Sequence, residues 1–231
     1  GMIGVDGAGN RGANCWAHEG LLSLDISSHE CTTPKIAKMI EDDKLPGWYM
    51  PLGAMLQMYT EIGRGMPGVL TKCGLGTFMD ARVDGGALNP SAKAYDEAQK
   101  AKGEKLFVEY VPDFMGEEYL FYRIPKIDFG IMRGTTAEEN GNITAENECL
   151  NLELSAVARA AKACGGKVIV EVERLAKAGT LNPKLVKVGR NLVDYVVDAN
   201  YTEPIPRALT NCGDYDANFW MGLNGQMKVP V

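Results

Sequence analysis

The sequence predicts an α/β fold with a largely parallel sheet, and three observations predict it. The run 168–172 (VIVEV) is nearly all β-branched, as suits a strand covered on both faces. The stretch 192–197 (LVDYVV) repeats that character. Between the strand-like 127–132 and 168–172 lies the clearest helical stripe of the chain, Leu150, Leu154, Val157, Ala158 and Ala161, closed by Gly165-Gly166. Strands alternating with helices are the pattern of a parallel sheet with helical crossovers. A chain of 231 residues can bury one sizeable core, so one domain is expected.

From the start, Ile3 to Val5 is a short apolar run that enters a glycine-rich turn at 7–12, and a helix is expected over about 14–24. Thr33-Pro34 opens a second helix reaching Asp42, with Thr33 as cap and Pro34 in the first position. Ile36, Met39 and Ile40 share one face of it. Pro51 begins a third helix, where Leu52, Met55, Leu56, Tyr59 and Ile62 recur at helical spacing until Gly63 and Gly65 stop it. The stretch 74–86 is a glycine-rich loop, and the Ala- and Lys-rich 91–103 reads as an exposed helix. Strands are expected over 106–111, 119–123 and 127–132, the first two joined by a turn at 113–118, and the striped helix over 148–164. Beyond Asn200, Pro204, Pro206, Gly213, Gly222 and Gly225 punctuate a stretch without sustained periodicity. The expected organisation is one domain over 1–203 and an extended arm over 204–231.

Composition narrows the function classes. A formal charge of −6 with pI ≈ 5.1 offers no electrostatic basis for a nucleic-acid partner. No apolar run approaches the roughly 20 residues of a membrane-crossing helix, and no basic start followed by an apolar stretch suggests a secretory signal. The six cysteines (Cys15, Cys31, Cys73, Cys149, Cys164, Cys212) form no C-x-x-C pair, which fits thiols of a reducing, cytoplasmic compartment. Only His18 and His29 could add imidazole ligands, and neither adjoins a cysteine pair, so no metal is expected.

Several motifs have an ordinary reading beside a functional one. The stretch 7–12 matches G-x-G-x-x-G, the fingerprint in which glycines let backbone amides approach a pyrophosphate. The strand before it is very short, and the acidic residue expected about 20 positions on would be Asp25 or Glu30, neither clearly ending a strand. It is read as a glycine-rich turn. Glu139-Asn140-Gly141 has the composition of a turn between a strand and a helix, and is read as one. His18 and His29 have no Ser or Cys nucleophile in a recognisable elbow nearby and are read as structural. Met50, Met55 and Met58 are read as core filler. Lys35, Lys38 and Lys44, interrupted by Glu41, Asp42 and Asp43, form a solvated face.

Longer words say more. The run 67–82, PGVLTKCGLGTFMDAR, resembles the P-G-x-x-T-x-x-G-L-G-T-F-x-D-P-R stretch of the family I CoA-transferases of propionate/acetate type. VDGGALN at 83–89 resembles its continuation, with paired glycines and an Asn. EEYLFY (117–122), IMRGTTAEENGNIT (131–144), KACGGKVIVEVE (162–173) and the GTLNP, LVKV and LVDYVV words of 178–197 follow in the family's order. So do Tyr215-Asp216, Gly225 and Val229-Pro230. The Glu139 run falls in the family's A-D-x-x-G-N word, with Glu138 replacing the Asp, and not in the catalytic E-x-G word.

The resemblance implies a three-layer α/β/α architecture of the NagB/RpiA/CoA-transferase-like kind, and transfer of coenzyme A from an acyl-CoA to a free carboxylate. In that family a glutamate attacks the thioester to give an acyl-glutamyl anhydride, which the thiolate reopens as an enzyme–CoA thioester. A carboxylate is a weak nucleophile in water, so the site must strip its water and stabilise an oxyanion. Coenzyme A is then a substrate, with no cofactor bound permanently, and the small-molecule partners are an acyl-CoA and a small carboxylate. The chain reads as the amino-terminal-half portion, because the family's nucleophilic Glu lies beyond the Gly…Val-Pro tail. A complementary catalytic half or subunit is therefore expected, as is a homo-oligomer. The G-G-F word expected before the first residues is missing. Carried over onto this chain, the substrate wall is Gly53, Gly74, Gly76 and Thr77. Many members place a Gln between Pro and Gly ahead of the third helix to serve the oxyanion. Here the word is Pro51-Leu52-Gly53, and Gln57, one helical turn on, is the substitute. Two alternatives stand beside this reading: a binding or assembly module without turnover, suggested by Leu52, and a dinucleotide-binding oxidoreductase, suggested by 7–12.

Overall fold

The computed structural model describes residues 1–3, 12–29, 33–148 and 153–198. The turn residues 7–11, the helix residues 149–152, the arm at 204–231 and Cys31, Cys149 and Cys212 lie outside them. The chain clusters into two compact units, residues 1–61 with 66–125, and residues 62–65 with the chain from 126 onward.

In the first unit, β1 (Met2–Ile3), β2 (Asp25–Ser27) and β3 (Gly47–Tyr49) form a parallel sheet in that order. Helix α1 (Pro34–Glu41) is the crossover between β2 and β3. Its periodicity is as expected, with Ile36, Met39 and Ile40 buried together with Leu45. Its cap differs. Thr33 makes no capping bond, and the Asn14 side-chain oxygen accepts the Lys35 N–H at 2.9 Å instead. The helix expected over 14–24 is a 3-10 turn, Gly12–Trp16, followed by further turns. Gly20 at φ 82 takes a left-handed conformation no helix interior accepts.

Helix α2 (Leu52–Gly63) follows β3 and buries Ala54, Met55, Met58 and Tyr59. Helix α3 (Pro90–Ala101) starts at Asn89, whose side chain accepts the Ala92 N–H at 3.0 Å and donates to the Ile40 and Leu45 carbonyls at 2.9 and 2.8 Å. The Trp48 ring sits edge-on to Tyr95 and Phe107, with centroids 5.3 and 5.0 Å away. Strands β4 (Val69–Thr71), β5 (Val108–Phe114) and β6 (Glu117–Tyr122) form an antiparallel sheet ordered β4-β6-β5. The turn expected over 113–118 is tighter, because Met115 (φ 58) and Gly116 (φ 85) alone reverse the chain.

The second unit holds a five-stranded sheet ordered β10-β8-β7-β9-β11, from β7 (Phe129–Glu138), β8 (Ile143–Thr144), β9 (Lys167–Ala176), β10 (Val186–Val188) and β11 (Tyr195–Asp198). Helix α4 (Leu154–Ala163) crosses between β7 and β9, with Ala158 and Ala161 against Met132, Val168, Val170 and Val172. Strand β7 outruns the expected 127–132 because Thr136, Ala137 and Glu138 are buried and continue its ladder with β9. The Glu139 turn stands, closed by the Gly141 N–H donating to the Glu138 carbonyl at 2.7 Å.

The α/β class therefore holds. Parallel neighbours are β1-β2-β3 and β7-β9-β11, while short connections such as those of β5–β6 and β7–β8 can return a chain only antiparallel. Among the described residues no helix is long and apolar enough to cross a membrane.

Candidate functional site

The glycine-rich loop of the first unit leaves β4 and ends at Asn89, and it is closed by its own polar groups. The Thr77 hydroxyl donates to the Gly74 carbonyl at 2.7 Å and accepts the Met79 N–H at 3.2 Å. The Tyr122 hydroxyl of β6 donates to the Cys73 carbonyl at 2.8 Å. Burial, with the nearby Cys73 and Asp80, raises that phenol's pKa. Gly74 stands at φ 96, and a Cβ there would meet the Tyr122 hydroxyl, so only glycine fits. The Gly86 N–H donates to the Phe78 carbonyl and the Tyr49 N–H to the Gly86 carbonyl, at 3.0 and 2.8 Å, which fastens the loop to β3.

Asp80 is the centre of this arrangement. Fully buried, it accepts the Gly76 N–H at 2.8 Å, the Arg82 N–H at 2.9 Å, and the Arg82 guanidinium through Nε at 3.1 Å and Nη2 at 2.7 Å. The Arg82 side chain, with the two main-chain N–H groups, holds the carboxyl well below the usual carboxylate range against the opposing effect of burial. Asp80 in turn raises the pKa of Arg82. The guanidinium lies 4.0 Å over the Tyr110 ring and reaches Glu118 at 3.4 Å, tying the loop to β5 and β6. Tyr110 hydrogen-bonds the same Glu118, which raises its pKa.

The expected wall residues fall into two groups. Gly74, Gly76 and Thr77 share this loop, whereas Gly53 and Gln57 lie on α2, both exposed and one turn apart. No hydrogen bond among the described residues joins the groups directly. They are linked through Tyr49, whose ring lies 6.2 Å from the Phe78 ring and which shortly precedes α2. Leu52 opens α2 with its apolar side chain exposed, and nothing lies within 4 Å of where a Gly53 Cβ would be. Asp80, Arg82 and Tyr122 had no role in the sequence reading. The first two stand in the T-F-x-D-x-R word, but nothing in that word says that the carboxylate turns back onto Gly76.

Residues 2–199 match the family model described as Coenzyme A transferase. The chain belongs to the coenzyme A transferase family. It is 43% identical over 189 residues to a caffeate CoA-transferase of Acetobacterium woodii, covering 82% of this chain and 34% of that protein. Over 194 residues it is 32% identical to the acetate CoA-transferase YdiF of Escherichia coli (strain K12), covering 84% of this chain and 34% of the relative. The chain thus spans about a third of the length of these curated relatives. The crystal structure of the YdiF apoenzyme from E. coli O157:H7 superposes with a TM-score of 0.74 at 30% identity, over 85% of this chain and 36% of that one. Glutaconate coenzyme A-transferase from Acidaminococcus fermentans shares the fold, with a TM-score of 0.65 at 17% identity, over 96% of this chain and 69% of that one.

Proposed function

We propose that this CoA-transferase family chain forms the substrate wall of an acyl-CoA:carboxylate CoA-transferase, and that the nucleophilic glutamate comes from polypeptide outside it. The observation that supports the wall reading is the fixed glycine-rich loop of 74–86, in which even the buried Asp80 is committed to holding the backbone. This carboxylate of the wall loop has both oxygens taken by Arg82 and main-chain N–H groups, so it cannot attack a thioester. In the reaction a glutamate carboxylate adds to the thioester carbonyl, whose oxygen becomes an anion. Collapse expels the CoA thiolate and leaves an acyl-glutamyl anhydride. The thiolate then adds to the glutamyl carbonyl, releasing the acyl group as a carboxylate and leaving a glutamyl-CoA thioester. The acceptor acid runs the sequence in reverse, so thioester is exchanged for thioester and coenzyme A is substrate rather than resident cofactor.

The wall's part is to hold the acyl group and keep water from the carboxylate. Gly53, Gly74, Gly76 and Thr77 line it, with Leu52 adding apolar surface and Gln57 an amide on the same helix. Similarity to a caffeate and an acetate CoA-transferase supports a small carboxylic acid as acceptor. The partners are the acyl-CoA, that acid, the complementary catalytic polypeptide, and further copies in a homo-oligomer. The free thiols of Cys15, Cys73 and Cys164 suit a cytoplasmic location.

The test mixes acetyl-CoA and propionate with the chain alone and with the complementary polypeptide. Propionyl-CoA is expected only from the mixture, and robust transfer by the chain alone would refute an external nucleophile. Leu52 favours a second reading, a module of the same fold without turnover. An inert mixture that stays inert with Leu52→Gln would establish it.

A further inference from the structure

The first unit holds a cavity lined by none of Gly53, Gln57, Gly74, Gly76 and Thr77. It lies among α3, the end of the glycine-rich loop and the start of β5, and its volume is about 140 Å³. We propose that it binds a small organic cation, an ammonium or amidinium group on an apolar body of about one ring, with the positive end on Asp96. The inference goes beyond the transferase reading and uses none of its steps.

Positions 93, 96, 97 and 100 recur at helical spacing, so one face of α3 forms one side of the cavity. The apolar part comes from Trp48 and Phe107, both buried, whose rings stand edge-on with centroids 5.0 Å apart. An apolar cavity of about 150 Å³ holds one benzene ring, and the space here suits a body of that size.

Five charged side chains line the same space, and four of them are spent on one another. The Lys93 ammonium lies 2.6 Å from Asp84, and the Lys100 ammonium 2.7 Å from Glu97. Asp96 has no ion pair among the described residues. Its hydrogen bond is the one accepted by Oδ2 from the Trp48 indole N–H at 3.1 Å, which anchors the carboxylate beside the buried rings and leaves Oδ1 without a donor.

Burial raises the pKa of this half-buried carboxyl, against the opposing effects of the indole and of Lys100. A charge so placed gains from a cation brought to it. A divalent metal ion is a poor occupant, because it asks for about six or more oxygen ligands and one carboxylate is uncommitted here. An anion would find both ammonium groups already paired and would meet Asp96 as a like charge. An organic cation uses both halves of the site, its charge on Asp96 and its carbon body against Trp48 and Phe107.

The test titrates the full chain with benzylamine and, separately, with benzyl alcohol, which has nearly the same shape without the charge. The Trp48 indole N–H signal is followed by NMR, and Trp48→Phe assigns it. Benzylamine is expected to shift that signal saturably, with a Kd about tenfold or more below that of benzyl alcohol. Asp96→Asn keeps the shape and an acceptor for the indole, and should make the amine and the alcohol bind alike. Ala81→Leu adds bulk to the lining and should abolish both shifts. A Trp48 signal that benzylamine does not move overturns the inference, and so does an amine that binds no better than the alcohol. Undiminished benzylamine binding by Asp96→Asn overturns it as well. The comparison of amine with alcohol uses the unaltered chain, so a variant that failed to fold would leave it standing.

Discussion

At the scale of the residue, Asp80 has the largest consequences. A buried carboxylate is costly unless paired and hydrogen-bonded, and here Arg82 and two main-chain donors meet both requirements. Its depressed pKa makes a pH prediction with a definite sign. Between the folded value and the unfolded value of about 3.9, the unfolded chain binds the extra proton, so stability falls as pH falls through that window. Above about pH 5 the contribution is complete. Asp80→Asn abolishes the titration, so denaturant midpoints against pH should fall more steeply at the acid end for wild type than for the variant. Parallel curves would mean that the Asp80–Arg82 contact contributes nothing to folding. None of this was legible beforehand. The sequence places Asp80 and Arg82 in one word, yet a carboxylate returning to an amide four residues earlier leaves no periodic trace.

At the scale of the element, legibility followed length. The helices α1, α2 and α4 carry enough turns for an apolar stripe to show, and α3 shows in its Ala- and Lys-rich composition; all four are present, though α4 starts at Leu154 rather than at 148. The strands β2, β3 and β4, of three residues each, are too short for any alternation and went unread. The segment 14–24 reads as a helix from composition, but successive bonds over three residues or fewer and Gly20 keep it in turns. The β5–β6 hairpin hides its turn for another reason. Met115 is 90% exposed and left-handed, a position that Asn or Gly fills in most such turns. Relieving it should stabilise the hairpin: Met115→Asn is expected to add about 0.5–1 kcal/mol, read as a higher denaturant midpoint at unchanged slope. A lower midpoint would show that the Met side chain makes contacts that its exposure does not suggest.

At the scale of the whole chain, alternation alone reached the α/β class, and only the ordered words reached the family. Those words include the loop after β4 and the turn after β7 as well as whole strands such as β6 and β9, and their order along the chain identifies more than the alternation of elements does. The β-branched run 168–172 reads as a strand covered on both faces, but only one face of β9 is fully buried: Val168, Val170 and Val172 are covered, while Ile169 and Glu171 are half-buried. In the second unit α4 packs on the face of Met132, Val168, Val170 and Val172, so the intervening side chains point the other way. There Ile131 stands opposite Ile169, which stands opposite Tyr195, with Phe129 and Val197 alongside. Phe129, Ile131, Tyr195 and Val197 are all exposed, apolar side chains grouped around Ile169 and flanked on β9 by Lys167 and Glu171, more apolar surface on one face than soluble monomers usually leave open. The chain prepared by itself should therefore self-associate through this face, its sedimentation coefficient rising across a concentration series. Ile131→Lys together with Tyr195→Lys sets two positive charges on the patch without touching the core under α4, and should return the chain to a constant, lower value. If wild type already sediments as a monomer throughout the series, the open face is not sticky enough to pair. If the double variant associates as strongly as wild type, the contact lies on another surface.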